Sequence, residues 1–331
     1  MDFSRTDAHF AEMDENGSNA RATRVGVLPL AGFALMSYAS TVEPFRAANL
    51  LSGRALYEVT IIGAGPEMIA SSGQGGVVPV ATVGQGLQLD YLFVIAGGDP
   101  ASVEDAALFR WLGRMARSGA ILGGVSGGPV ILARAGLMEG RRMTVHWEHA
   151  EALAEVSPNL MIDRTLYVID RDRVTCAGGT APMDLMHALI AQDHGATFAQ
   201  SVSDWFLHTD IRPSGGPQRG GLVARVGTTN AAILSAVSAM ENHVADPLSL
   251  VDLAEFAGVS ARQLMRLFQA RLGQSAMGYY RDLRLDKAQN LMRNSALPLT
   301  EIALATGFAN SSHFSRAYTA RFGAAPSTFR A

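Results

Sequence analysis

Short apolar runs alternate with helical segments over the first half of the chain. The apolar runs are residues 25–30, 57–64, 91–96 and 120–125, and the helical segments between them include 102–118 and 129–135. Buried strands separated by helices are typical of a mostly parallel sheet that is covered on both faces. The pattern therefore predicts an α/β domain with a doubly wound parallel sheet.

The pattern changes twice further along the chain. Residues 166–170 and 173–176 flank a two-residue turn and predict a hairpin, and residues 183–192 predict a closing helix. The stretch 212–221 is rich in glycine and proline, and only helical periodicity follows it. The predicted organisation is a disordered leader at 1–22, an α/β domain at 23–210, a linker at 211–228 and an all-α domain at 229–331.

The all-α domain contains an internal repeat. Residues 264–273 (LMRLFQARLG) align without gaps with residues 314–323 (FSRAYTARFG), and a short helix and a glycine, Gly258 or Gly307, precede each copy. A glycine turn followed by a polar N-cap, Ser260 or Asn310, indicates a helix-turn-helix motif. A plain helical bundle is the alternative, and the repetition favours two DNA-binding motifs over it.

Charge and composition agree with this division. Residues 237–331 carry 10 basic and 7 acidic side chains, whereas the rest of the 331 residues carries 17 and 23. A mildly basic module suits a polyanionic partner. The polar N-terminal stretch lacks a signal peptide's apolar region, no apolar run is long enough to span a bilayer, and one cysteine excludes an intramolecular disulfide. We therefore expect a cytoplasmic protein with no membrane partner, no cofactor and no metal site.

The repeated module resembles the AraC/XylS-type DNA-binding domain over its whole length. The residues that carry this resemblance include Ala254, Gly258, Leu264, Arg266, Phe268, Gly273, Arg284, Ile302, Gly307, Phe314, Arg316, Gly323 and Pro326. Ala276 departs from the family, which often has proline there. The resemblance implies that the second helix of each motif enters a major groove of duplex DNA, with the two grooves about one turn apart.

The outward positions of these two helices are the candidate DNA contacts. They are Ala261, Arg262, Met265 and Arg266 on the first helix and Ser311, Ser312, His313, Ser315 and Arg316 on the second. Arginine can bind guanine in a bidentate manner, and serine and histidine suit phosphates or mixed base edges. A phosphate contact or a surface salt bridge is the alternative role for each arginine.

Residues 24–200 resemble the PfpI-type, class I glutamine-amidotransferase-like fold, which is flavodoxin-like. The motifs that carry this resemblance are residues 96–98, 123–129 and 144–147. In the family's enzymes a cysteine at the strand-to-helix elbow is the nucleophile, and a glutamate orients it. Here those two positions are Ser126 and Ser37. An unassisted serine hydroxyl is a poor nucleophile, so we expect no enzymatic activity.

Together the two parts resemble the GlxA-type transcriptional regulators, in which a PfpI-like sensor is fused to an AraC-type reader. The resemblance implies a homodimer that binds a duplex operator and a small-molecule effector, and RNA polymerase as a partner if the protein is an activator. The candidate effector-binding residues are Ser37, Ser126, Gly127, His146, Trp147 and Glu148. The sequence around Ser126 and Trp147 resembles that of the subgroup that responds to betaine, carnitine or arginine.

The residues around Ser126 and Trp147 can bind both an anionic and a cationic group of such an effector. The helix that begins near Gly127 offers backbone N–H groups to a carboxylate, and the indole of Trp147 with the carboxylate of Glu148 can hold a cation. A zwitterionic amine has both groups. A core position for Trp147 is the alternative, because tryptophan is mostly buried.

An amidohydrolase is the alternative function. Residues 124–128 also fit the G-x-S-x-G elbow of serine hydrolases, which would use Ser126. Possible acids and bases for such a triad are Asp163, Asp170, His187 and His194. Cys176 is a second candidate nucleophile, although its apolar neighbours favour a buried, inert thiol.

Overall fold

The computed structural model describes residues 21–295 and 297–329, and every described strand precedes residue 177. The strands are β1 Thr23–Pro29, β2 Tyr57–Gly63, β3 Ile69–Ala70, β4 Gly76–Val77, β5 Ala81–Thr82, β6 Tyr91–Ala96, β7 Ile121–Ser126, β8 Arg142–Met143, β9 Met161–Ile162, β10 Tyr167–Asp170 and β11 Arg173–Cys176. The helices of the α/β part are α1 Leu35–Ser52, α2 Ala106–Arg117, α3 Gly128–Arg134, α4 Trp147–Val156, α5 Ala181–His194 and α6 Ala196–Trp205. The later helices are α7 Leu222–Val226, α8 Ala231–Asn242, α9 Leu250–Phe256, α10 Ala261–Leu272, α11 Ala276–Asn294, α12 Leu299–Ala305 and α13 Ser311–Phe322.

The main sheet has seven strands in the order β10-β11-β7-β6-β1-β2-β5. All neighbours pair in parallel except β10 and β11, which form the predicted antiparallel hairpin. The predicted flavodoxin-like α/β fold is confirmed. Ser126 ends β7 at the carboxyl edge of the sheet, where ligands collect in open α/β folds.

Two apolar cores cover the two faces of the sheet. Helices α2, α3 and α4 pack on one face, around the fully buried Trp111 and Ile131. Helices α1, α5 and α6 pack on the other face, around Phe45 and Leu185. The central strands are therefore buried on both sides, which explains why their sequences read as continuous apolar runs.

The helical part has two further cores, and the long helix α11 contributes to both. Helices α8, α9 and α10 bury Leu253 and Phe268 with the start of α11. Helices α12 and α13 bury Phe314 and Tyr318 with its end. Each copy of the repeat packs around its own core, the second of which also takes in Ala152 of α4, so the predicted pair of helix-turn-helix motifs is confirmed.

Three helices were not predicted from the sequence. They are α4, α6 and α7, and α7 lies inside the segment predicted as a linker. The predicted leader lies outside the described residues except for residues 21 and 22. Within the described residues, no helix combines the length and apolar character needed to cross a membrane.

Candidate effector site and DNA-reading surface

Ser126 occupies a strained turn between β7 and α3. Its φ is 60°, a left-handed value that costs a non-glycine residue about 1–3 kcal/mol. Gly178 packs directly against it, because a Cβ at that position would lie 2.6 Å from the Cβ of Ser126. Ser126 is 7% exposed, and its hydroxyl has no hydrogen-bond partner among the described residues. It is therefore free to bond a ligand.

Ser37 is bonded to the turn beside the elbow, and its contact with the effector stays a prediction. The residue is fully buried, and its Oγ accepts a hydrogen bond of 2.8 Å from the backbone N–H of Gly179. Ser37 thereby fixes the Gly178-Gly179 turn that presses on Ser126. Its role is to position the elbow.

Gly127, the next residue of the elbow, is also bonded within the protein. Its backbone N–H, which was expected to anchor a carboxylate, donates to Ala96 O at 2.9 Å. The residue is buried against Pro100, so a ligand has no path to it from that side. The Gly127 N–H is therefore already engaged, whereas the Ser126 hydroxyl on the same elbow has no such partner among the described residues.

The three residues His146, Trp147 and Glu148 lie together at the start of α4. The backbone N–H of His146 donates to Ser126 O at 3.2 Å, which ties this segment to the elbow. The ring Nδ1 of His146 accepts from the backbone N–H of Glu148 at 3.4 Å and so caps the helix. Burial lowers the pKa of His146, and the ring is therefore neutral at pH 7.

Trp147 is a surface residue with an accessible ring. It is 39% exposed, which excludes the core position considered as the alternative. Its indole lies 5.2 Å from the ring of His146, and the carboxylate of Glu148 is 4.0 Å from His146 Nδ1. An exposed aromatic ring beside a carboxylate is an environment that favours a cation.

Two linker residues belong to this neighbourhood and were missed by the sequence analysis. The guanidinium of Arg219 lies over the Trp147 ring, 4.4 Å from its centroid. The side-chain Nε2 of Gln218 donates to Thr144 Oγ1 and Val145 O, both at 3.0 Å. Neither residue lies in a motif, so no sequence signal connects them to α4.

Two of the groups that a serine hydrolase could use, one acid and one base, are engaged elsewhere. Asp163 pairs with Arg142 at 2.7 Å, and the Nδ1 of His187 bonds Ser203 Oγ at 2.9 Å. Cys176 is fully buried, and burial raises the pKa of its thiol to about 12. A thiol in that state is inert at physiological pH.

The predicted DNA contacts form an exposed surface on α10 and α13. Arg262, Met265, Arg266, Ser312, His313 and Arg316 are exposed, and Ser315 is half-buried. In the described part of the chain, no carboxylate lies within 4.0 Å of Arg262, Arg266 or Arg316. By contrast, Arg321 pairs with both Asp282 and Asp286. Cations without acidic partners are available for phosphates or base edges.

Arg284 holds the second motif together from α11. Its guanidinium donates to Thr306 O at 2.7 Å and to Gly307 O at 2.5 Å, at the turn between α12 and α13. It also lies over the ring of Phe308, 4.3 Å from the centroid. Arg284 thus fixes the turn that aims α13.

The comparisons with known proteins agree with this architecture. Residues 24–192 match the DJ-1/PfpI family, and residues 253–331 match a helix-turn-helix domain. The fold of a THiJ/PfpI family protein from Pseudomonas syringae is similar, with a TM-score of 0.54 at 22% identity over 75% of this chain and 97% of that one.

Two regulators are similar over nearly their whole length. The HTH-type transcriptional regulator GlxA of Rhizobium meliloti (strain 1021) is 41% identical over 319 residues, which cover 96% of this chain and 98% of the relative. The HTH-type transcriptional regulator CdhR of Pseudomonas aeruginosa is 42% identical over 310 residues, which cover 92% and 90%. The predicted family is confirmed: the chain belongs to the GlxA-type transcriptional regulators, which bind DNA through a C-terminal helix-turn-helix domain joined to a DJ-1/PfpI domain.

Proposed function

We propose that this regulator responds to a small zwitterion that carries a cationic nitrogen, such as a betaine, carnitine or arginine. The cationic end lies on the Trp147 face beside Glu148, and the carboxylate accepts from the Ser126 hydroxyl. The observation that carries the proposal is the Trp147 ring itself, which is exposed and already holds a guanidinium at 4.4 Å. A face that binds one cation is suited to bind another.

The geometry of α4 supports the placement of both ends in one site. The hydrogen bond from His146 N–H to Ser126 O keeps the first residues of α4 next to the elbow. Neutral His146 adds no positive charge that would repel the ligand's nitrogen. The side chain of Glu148 is 39% exposed, so its carboxylate is accessible to the cation of a ligand.

Calorimetric titration tests the effector class. Glycine betaine, dimethylglycine, carnitine and arginine are titrated into the full-length protein, and then into Trp147→Ala and Glu148→Gln. Loss of the cation–π contact weakens binding by about 0.5–2 kcal/mol. Trp205→Ala is the matched control, because Trp205 is another exposed tryptophan, at the end of α6. If no compound binds, or if Trp147→Ala binds as well as Trp205→Ala, the effector proposal is wrong.

The remaining features of the regulator follow from its family. We infer that the chain divides at residues 211–228, that it is a homodimer, and that each chain covers about 16–20 bp of operator through two adjacent major grooves. An activator would also contact RNA polymerase. Footprinting on the DNA that flanks the gene measures the operator, and sedimentation equilibrium measures the oligomeric state.

A further inference from the structure

The contact between Arg219 and Trp147 places a cation of the linker on the proposed ligand face. Arg219 is exposed, and the ring centroid of Trp147 lies 4.4 Å from its guanidinium carbon. Over the described residues, no carboxylate lies within 4.0 Å of that guanidinium. The indole is thus its one described partner, and a ligand nitrogen on the same face competes with it directly.

The segment around Arg219 is held at both ends. On the sensor side, Gln218 Nε2 donates to Thr144 Oγ1, Val145 O and Thr165 O at 3.0, 3.0 and 2.7 Å. On the reader side, Arg225 of α7 pairs with Glu241 of α8 at 2.6 Å. Only Arg219 and two glycines, residues 220 and 221, lie between Gln218 and the start of α7.

The composition of this short segment makes Arg219 its main restraint. Glycine lacks a side chain and loses more conformational freedom than any other residue when it is fixed. Residues 220 and 221 have no side chain with which to bind the sensor. The stacking of Arg219 on Trp147 is therefore the side-chain contact that the structure describes for the stretch between Gln218 and α7.

Helix α4 contacts the reader a second time, through α11. Asn290 Nδ2 donates to Glu148 O at 2.9 Å, and Lys287 Nζ lies 3.3 Å from the Glu151 carboxylate. The buried pair His149 and Asn294 is joined at 3.0 Å; because Asn294 Oδ1 can only accept, His149 Nδ1 carries the proton. Trp147 thus begins a helix that is fastened to the reader on one side and to the linker on the other.

We propose that Arg219 is an internal competitor for the effector: the ligand's cationic nitrogen displaces the guanidinium from Trp147, and this release frees the linker. The proposal rests on the effector site of the preceding section and adds its regulation. Without ligand, Arg219 holds the short segment after Gln218 against the sensor. With ligand, that restraint is lost while the contacts of α4 with α11 remain. Because coupling between two sites is reciprocal, a linker that is already free binds the ligand more tightly.

Variants at residue 219 test the competition. Glycine betaine is titrated calorimetrically into the full-length wild type, Arg219→Gln and Arg219→Lys, with Arg110→Gln as a control for loss of an exposed arginine on α2. Removal of the competing cation makes binding about 2- to 5-fold tighter in Arg219→Gln. Arg219→Lys, which keeps a cation, binds within twofold of the wild type, and Arg110→Gln matches the wild type. The carbon isostere 3,3-dimethylbutanoate, which keeps the carboxylate of glycine betaine but lacks its positive charge, shows no gain with Arg219→Gln.

The release of the linker has its own measurement. Backbone amides of residues 218–222 exchange hydrogen faster in ligand-free Arg219→Gln than in ligand-free wild type, and saturating glycine betaine brings the wild type to the same rate. The operator affinity of ligand-free Arg219→Gln moves towards that of ligand-bound wild type.

The outcomes separate the two proposals. If glycine betaine binds the wild type but binds Arg219→Gln equally or more weakly, Arg219 is a bystander or a clamp for the ligand's carboxylate. The proposal that Arg219 competes with the ligand is then wrong, whereas the proposal of the effector site is unaffected. If none of the four zwitterions binds either protein, the effector class is wrong and the competition falls with it. Unchanged thermal unfolding of Arg219→Gln excludes misfolding as the cause of either result.

Discussion

The two glycine turns of the helix-turn-helix motifs allow a test with an internal control. Gly258 and Gly307 have φ values of 67° and 69°, so alanine suffers the same backbone strain at either position. Their surroundings differ. A Cβ at position 258 meets nothing within 4 Å, whereas a Cβ at position 307 lies 2.6 Å from both Val244 O and Pro247 Cγ. The difference between Gly307→Ala and Gly258→Ala therefore isolates the cost of the clash.

The expected magnitudes follow from these contacts. Gly258→Ala costs about 1–2 kcal/mol, which is the left-handed strain alone. Gly307→Ala adds about 1–3 kcal/mol of overpacking, because the carbonyl of Val244 belongs to the backbone and cannot rotate away. The second motif therefore loses clearly more local stability than the first. The same change displaces the turn on which the Arg284 guanidinium is bonded.

Hydrogen exchange in the full-length protein measures the effect of each variant on its own motif. We expect amides of α12 and α13 in Gly307→Ala to exchange about tenfold to a hundredfold faster, relative to wild type, than amides of α9 and α10 do in Gly258→Ala. Each variant also leaves the other motif as an unperturbed reference. Equal losses of protection in the two variants would refute the reasoning, because they would show that the close packing at residue 307 relaxes without cost.

Three further outcomes are expected. Arg266→Ala and Arg316→Ala each weaken operator binding by about 1–3 kcal/mol if the arginine reads a base. If the arginine contacts phosphate only, binding weakens for all sequences alike, and the slope of log affinity against log salt concentration shrinks by about one. An unchanged footprint would remove that arginine from the interface. Ser126→Ala lowers ligand affinity in calorimetry and leaves the operator affinity of the ligand-free protein unchanged. Measurable hydrolysis by the wild type that is lost in Ser126→Ala would contradict the expectation that Ser126 is not a catalytic nucleophile. Burial and the neighbouring His146 lower the pKa of His149 below the usual 6.5, so the unfolded chain takes up the proton more readily than the folded one. The wild type therefore loses thermal stability as pH falls below about 6.5. The drop in melting temperature between pH 7.5 and 5.5 should be smaller in His149→Gln than in the wild type, and equal drops would contradict this account.

The sequence predicted features that local rules determine. Alternating apolar runs placed the central strands, and the caps at Ser260 and Asn310 placed the starts of the two reading helices. Motif matching located Ser37 and Gly127 but not their hydrogen-bond partners. Those partners, Gly179 N–H and Ala96 O, are set by how distant segments pack against the elbow.

The contacts between the domains lie beyond any local rule. The pairing of His149 with Asn294 joins residues that are far apart in the chain, and both are ordinary residues of amphipathic helices. Arg219 lies in a glycine-rich segment whose composition indicates only a linker. Periodicity reports which face of a helix is apolar, but it does not report which domain that face meets.

The single buried cysteine makes this chain convenient for labelling. Cys176 is fully enclosed and its thiol does not ionise near neutral pH, so maleimide reagents have no target in the folded wild type. A cysteine placed in the glycine pair after Arg219, together with one on the exposed surface of α2, would accept two dyes without removing any native thiol. Energy transfer between those dyes would follow the linker as ligand binds, in single molecules and in real time.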